Sequence, residues 1–196
     1  MTDFVPATKP RLSYGELMGR VSPLGIDPRK DKVFVAGIRG YYRDTMGVAG
    51  TNDRGIYDDA LFLVSETFFG SYNANTDPST RRAGRGTGVA KGMASLNTGL
   101  WRVHRFDRHK GKYLALCQRA GSVKVTRDGA SEDYADVGEF GINIHNGGWK
   151  TTSSLGCQTI YPEQWAGFIA SAVDQAQRFY GDKWQSTTIP YVLLDG

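Results

Sequence analysis

FGINIHNGGWKTTSSLGCQTIYPEQW, residues 140–165, joins three kinds of local structure in one run. Residues 140–145 are short and mostly apolar, which predicts a strand ending on His145. A return rich in glycine and hydroxyl side chains follows, with Gly147, Gly148, Trp149 and Ser153. It leads into Ser154-Leu155-Gly156-Cys157, where the glycine permits a sharp turn. Pro162 then suits the first turn of a helix, because its missing N–H would be unpaired there anyway.

Downstream, Trp165, Phe168, Ile169, Ala172, Val173, Ala176, Phe179 and Tyr180 recur at helical spacing. They predict a helix over 162–180, with Gly181 as its C-cap. Residues 189–194 predict a last strand. Upstream, the sequence predicts strands over 32–42, 56–65, 68–72, 96–103, 111–120 and 122–127. In GKYLALCQRA, residues 111–120, Tyr113, Ala115 and Cys117 alternate with Leu114 and Leu116. Residues 43–55 and 130–137 read as loops, and 73–88 as either a mobile surface loop or part of a substrate wall. Ser13 and Glu16 form a capping-box pattern for a short helix ended by Pro23. Residues 1–12, with Pro6 and Pro10, read as a loose arm.

The resulting class is mostly β (α+β), with one strong helix after Cys157 and a short one near the start. Residues 1–30 are expected to form an N-terminal arm and short helix, and 31–196 a single catalytic domain. The 196 residues are 40% apolar and 22% charged, which fits a globular chain with a sizeable core, and the 25 glycines favour tight turns. A formal charge of +4 would help the protein approach a polyanion, although ordinary solubility explains it equally well. The basic residues are not interleaved with aromatics, so nucleic acid is not expected as a partner. No run is long and apolar enough for a membrane span. The start lacks the apolar stretch of a signal peptide, which predicts synthesis in the cytoplasm.

Cys157 and His145 are the residues that suggest chemistry. A thiol nucleophile needs a base nearby and N–H groups for an oxyanion. Cys117, on an alternating strand, reads as a buried structural thiol. No acid lies beside His145 in sequence, so a backbone carbonyl of Asn146 or Gly147 is expected to orient it. His104 and His109 are open to three readings: a basic turn between strands, zinc ligands, or, for His109 with Lys110, contacts to a substrate carboxylate. Asp58 and Asp59 are either catalytic carboxylates or structural ones. GRGTG, residues 84–88, is too short for a phosphate loop. No metal and no cofactor is expected.

IHNGG (residues 144–148) followed by SLGCQT (residues 154–159) resembles the signature of the L,D-transpeptidase (YkuD-like) family. The resemblance implies a β-sandwich or barrel acting on peptidoglycan stem peptides through an acyl-enzyme. It makes Cys157 the nucleophile, His145 the base, Ser154 the motif serine, and the Gly156 and Cys157 N–H groups the oxyanion hole. Asn146, Trp149, Ser153, Thr159 and His109 are the expected substrate contacts. Leu155 stands where the family often has histidine, and Thr159 where it usually has Arg or Asn. In NlpC/P60, CHAP and papain-like enzymes the cysteine comes first, unlike here.

These features favour stem-peptide hydrolysis by a phage-type lysis enzyme (endolysin-like), made in the host cytoplasm and acting in the periplasm or wall after release. A monomer without membrane insertion is expected. The alternatives are a true L,D-transpeptidase that forms crosslinks and a non-catalytic wall-binding or virion structural protein.

Overall fold

VFVAGIR and DALFLVS are apolar almost throughout, and both become strands buried on two faces. They are β1 (Val33–Arg39) and β2 (Asp59–Ser65) in a computed structural model that describes residues 4–86 and 90–196. The strands pair antiparallel, with Val35 opposite Leu63 and Gly37 opposite Leu61. On one face, Val33, Val35, Leu61 and Leu63 join the main core. On the other, Phe34, Ala36, Ile38, Phe62 and Val64 pack beneath helix α1 (Tyr14–Val21), which contributes Leu17 and Val21. The α1 capping box forms as the sequence predicts, with Ser13 and Glu16 satisfying each other's backbone N–H groups.

The remaining strands are β3 (Phe69–Asn75), β4 (Ala94–Leu96), β5 (Gly99–His109), β6 (Tyr113–Gln118), β7 (Val123–Arg127), β8 (Tyr134–Gly138), β9 (Ile144–Asn146), β10 (Gln158–Ile160) and β11 (Ile189–Asp195). Eight of them close a barrel in the order β1-β11-β5-β6-β9-β10-β3-β2, while β4, β7 and β8 form a separate three-stranded sheet. Two pairings in the barrel are parallel, β1 with β11 and β9 with β10. Helix α2 (Pro162–Tyr180) has the predicted bounds. Its Trp165, Phe168, Ala172 and Ala176 join the main core, and the Tyr180 hydroxyl accepts the Val33 N–H at 3.1 Å.

Several expectations are corrected. Residues 4–12 are not a loose arm. The Tyr42 hydroxyl donates to the Thr8 carbonyl at 2.8 Å, the Tyr41 hydroxyl donates to the Arg11 carbonyl at 2.8 Å, and Phe4 packs edge-on against Tyr57. The strand expected over 96–103 divides at Gly99, which has φ 134°, and its second part runs on to His109. HRFDRH is therefore strand rather than turn. The reversal lies at Lys110 and Gly111, with φ 50° and 70°, the left-handed pair a tight hairpin needs. The loop expected over 73–88 begins later, because β3 continues through the buried polar residues Asn73 and Asn75. The last two positions of that loop, 87 and 88, lie outside the described residues. The acidic stretch 130–137 contains most of β8, an edge strand whose half-exposed side chains show no apolar period.

Among the described residues no helix is long and apolar enough to cross a membrane. Phe168 is fully buried, whereas Val137 on β8 is 66% exposed. Phe168→Ala is expected to destabilise the protein by about 3–5 kcal/mol. Val137→Ala should stay within about 0.5 kcal/mol of wild type. Urea unfolding of the three proteins checks both values.

Candidate active site

The parallel β9–β10 pairing places Thr159 opposite His145 and Gln158 opposite Ile144. Side chains alternate along each strand, so continuing this register puts Cys157 beside Asn143, on the same face as His145. The atoms agree. The Asn143 N–H points at the Cys157 Sγ from 3.4 Å, and the Gln158 N–H donates to the Asn143 carbonyl at 2.8 Å. The thiol donates to the Gly141 carbonyl at 3.3 Å. Cys157, His145, His109, Lys110, Gly141 and Ser153 line one cleft of about 300 Å³. A larger hollow of about 680 Å³, bordered by Tyr14, Lys32 and Phe68 near the β2–β3 turn, holds neither a thiol nor an imidazole.

His145 is oriented by a backbone carbonyl. Its Nδ1 lies 2.7 Å from the Asn146 oxygen, which can only accept, so Nδ1 carries the proton and Nε2 keeps the lone pair. The His109 ring stacks on His145 with centroids 4.1 Å apart. Asn143 fixes the tautomer of His109. Its Oδ1 accepts the Gln118 N–H at 2.9 Å, so its amide nitrogen faces His109 Nδ1 at 3.0 Å. That places the His109 proton on Nε2. Burial, with His109 as the second cause, pushes His145 down to about 4. Burial also pushes the Cys157 thiol up, opposed by the Asn143 N–H and the Lys110 charge. The resting pair is therefore an uncharged thiol and an uncharged imidazole.

The SLGC turn is held from both sides. The Ser154 hydroxyl donates to the Cys157 carbonyl at 2.7 Å and accepts the Gly156 N–H at 3.0 Å. The Ser154 N–H donates to the Ser79 hydroxyl at 2.8 Å, and the Ser79 N–H donates back to the Ser154 carbonyl at 2.9 Å. From the other face, Gln158 donates to the Gly156 carbonyl at 3.3 Å and accepts the buried Tyr191 hydroxyl at 2.9 Å. Gly156 has φ 140°, and a Cβ there would collide with the Ala94 carbonyl. Its N–H is committed to Ser154, so of the two expected oxyanion donors only the Cys157 N–H has no partner among the described residues.

The other expected residues divide clearly. Ser153 and His109 line the cleft. Ser154 is 2% exposed and positions the turn rather than meeting a substrate. Asn146 acts through its carbonyl. Trp149 does not wall the cleft: the Gly148 carbonyl is held by the Tyr57 hydroxyl, and the indole lies edge-on to Tyr161, 62% exposed. Thr159 is fully buried on β10 and cannot reach a substrate carboxylate. Asp58 and Asp59 are buried supports. The Asp59 carboxylate accepts the Gly40 and Thr76 N–H groups at 2.5 Å, and Asp58 accepts the Asp53 N–H at 2.7 Å.

His104 and His109 lie an odd number of residues apart on one strand, so they face opposite ways and cannot share an ion. His104 is fully buried, with Nε2 2.9 Å from the Ile142 carbonyl oxygen. Cys117 is buried as expected, and its thiol is pushed up to about 11 by burial. No family model, no curated protein and no solved structure matches the chain.

Sequence reasoning did not find Asn143, Gly141 or Tyr113, whose hydroxyl lies 3.4 Å from His145 Nδ1. The alternation in 111–120 put Tyr113 and Cys117 on one face, and β5–β6 pairing sets His109 opposite Tyr113. That register was the missing signal. Lys110 and Ser153, the two non-glycine residues with positive φ among those described, both line the cleft, where backbone strain is commonly kept for function.

The histidines make a pH prediction. His145 and His104 both sit at about 4 when folded, against an ordinary value near 6.5. Their contribution to stability is complete above about 6.5 and is lost as pH falls toward 4. Asp58, raised to about 6 by burial, and Asp59, raised well above the usual carboxylate range by burial, act in the opposite sense and favour the folded state less as pH rises. Imidazole NMR signals of His145 and His104 are expected to stay those of neutral rings from pH 8 to 5. A His145 titration midpoint near 6.5 would contradict the buried pair.

Proposed function

We propose that this protein is a cysteine-dependent hydrolase of peptidoglycan stem peptides that works through an acyl-enzyme. The observation that carries the reading is one cleft holding the Cys157 thiol together with His145, whose Nδ1 is bound by a carbonyl and whose Nε2 is left to accept a proton. The resemblance of IHNGG and SLGCQT to the L,D-transpeptidase signature supports the substrate class. A mostly β barrel suits that family's fold.

In the proposed reaction His145 Nε2 takes the thiol proton as Cys157 Sγ attacks a stem-peptide amide carbonyl. The oxyanion is received by the Cys157 N–H. His145 then returns the proton to the departing amine, and the C–N bond breaks to leave a thioester. A water, deprotonated by His145, hydrolyses that thioester and frees the thiol. An amine acceptor in place of water would make the same intermediate a crosslinking one. Starting from a neutral pair, proton transfer accompanies substrate binding, which expels water and strengthens the local field. As a phage-type lysis enzyme the protein would reach the wall after a membrane-permeabilising partner acts.

Digestion of purified sacculi followed by muropeptide analysis tests this. Wild type should release shortened or uncrosslinked stems, and Cys157→Ala should lose activity by about 10³-fold or more. N-ethylmaleimide should inactivate the wild type and EDTA should not. New crosslinks between stems would assign transfer instead, and undiminished lysis by Cys157→Ala would sink the mechanism.

A further inference from the structure

A second hollow of about 430 Å³ lies beside the thiol cleft, lined by Arg82, Lys91, Met93, Arg127, Phe140 and Leu155. Phe140 and Leu155 also line the thiol cleft, so the two spaces meet across that apolar pair. Leu155 immediately precedes the Gly-Cys of the turn and is 65% exposed, with no place in the core.

The second hollow has a surplus of positive charge. Lys91 and Arg127 both hold the same Asp136 oxygen at 2.7 Å. Arg127 also donates to the Gly92 carbonyl at 2.8 Å and lies 4.6 Å from the Phe140 ring centroid. The Arg82 guanidinium has no ion pair among the described residues. Asp128, which accepts the Arg82 backbone N–H, spends its charge on Arg54 and Arg81. Three cations thus face a single carboxylate. Solvated lysines and arginines spread over a surface would carry no message. Here Arg127 is buried, and its guanidinium is stacked on a ring that belongs to the thiol cleft.

We propose that this basic hollow is an anion subsite of the thiol cleft. It takes a free carboxylate of the acyl-donor peptide, while Phe140 and Leu155 cover the aliphatic stretch between that carboxylate and the carbonyl at Cys157. The substrate is then an acidic peptide whose free carboxylate lies several bonds from the scissile amide. The proposal rests on Cys157 being the nucleophile, as in the reading above.

Thiol labelling tests it without the natural substrate. The probes are 6-maleimidohexanoate, its carboxamide and N-ethylmaleimide, with labelling at Cys157 followed by peptide mass spectrometry. Wild type should react on the order of five- to tenfold faster with the carboxylate than with the carboxamide. In Arg82→Gln/Lys91→Gln that ratio should fall to about two or less, with an unchanged N-ethylmaleimide rate showing that the cleft is intact. Arg82→Gln alone should give an intermediate ratio. Arg29→Gln/Lys32→Gln removes the same charge at the far end of the barrel and should keep the wild-type ratio. A wild-type ratio near one, or an equal fall in the distant pair, overturns the subsite. Sacculus digestion separates the two proposals. A carboxylate preference with sacculi left intact keeps the subsite and removes the hydrolase reading. Digestion with a ratio near one does the reverse.

Discussion

The structure depends on the parallel pairing of two three-residue strands, β9 and β10. Parallel neighbours cannot be joined by a tight turn; the chain must cross over, usually through a helix. Here the crossover is the irregular segment 147–157. Its beginning is fixed where the Tyr57 hydroxyl holds the Gly148 carbonyl, and its end where Ser79 and Ser154 exchange backbone and hydroxyl hydrogen bonds. This arrangement turns a separation in sequence into adjacent strands and puts a thiol and an imidazole on one face. The same pairing closes the barrel, so the site and the core are not independent: loosening the crossover would open the wall between β6 and β3.

The polar groups behind the turn follow from that. Gln158 faces away from the cleft, toward Tyr191, and steadies the Gly156 carbonyl from there. Nearby, Arg39 joins Asp77 at 3.2 Å and donates to the Thr76 and Leu96 carbonyls. Asp59 caps the Gly40 and Thr76 N–H groups. Buried charge of this kind is weak support for stability. Its effect here is to fix the ends of β1, β2 and β3 beneath the segment that leads to Ser79 and the SLGC turn.

Much of this was legible in the sequence where one force dominated. The 162–180 helix has an unbroken apolar stripe between a proline and a glycine, and its bounds were read correctly. The runs that became β1 and β11 are apolar on both faces, and β6 and β7 carry enough apolar residues to be read as strands. Cys157 and His145 stood out because a glycine-rich return separates them, and the need for a carbonyl beside His145 could be read from the lack of a neighbouring acid. Elements held by hydrogen bonds rather than by apolar burial were missed. β8 is an edge strand, β10 is three residues long, and the end of β3 is asparagine. His109 is an expected substrate contact, but the turn reading of HRFDRH fails because β5 runs on to His109 and the hairpin reverses only at Lys110-Gly111. Thr159 and Trp149 follow from position in a motif; packing buries Thr159 completely, although its register is that of the cleft face, and leaves Trp149 at the surface.

Trapping the covalent intermediate tests the thiol mechanism most directly. Wild-type protein acting on purified sacculi would be quenched in acid and its peptides analysed by mass spectrometry. The expected result is a stem-peptide acyl group on the Cys157 peptide, removed by hydroxylamine as a thioester is, and much reduced in His145→Ala. Cleavage of stems with no adduct at Cys157, or an adduct on Cys117 instead, would contradict a mechanism built on Cys157 and His145.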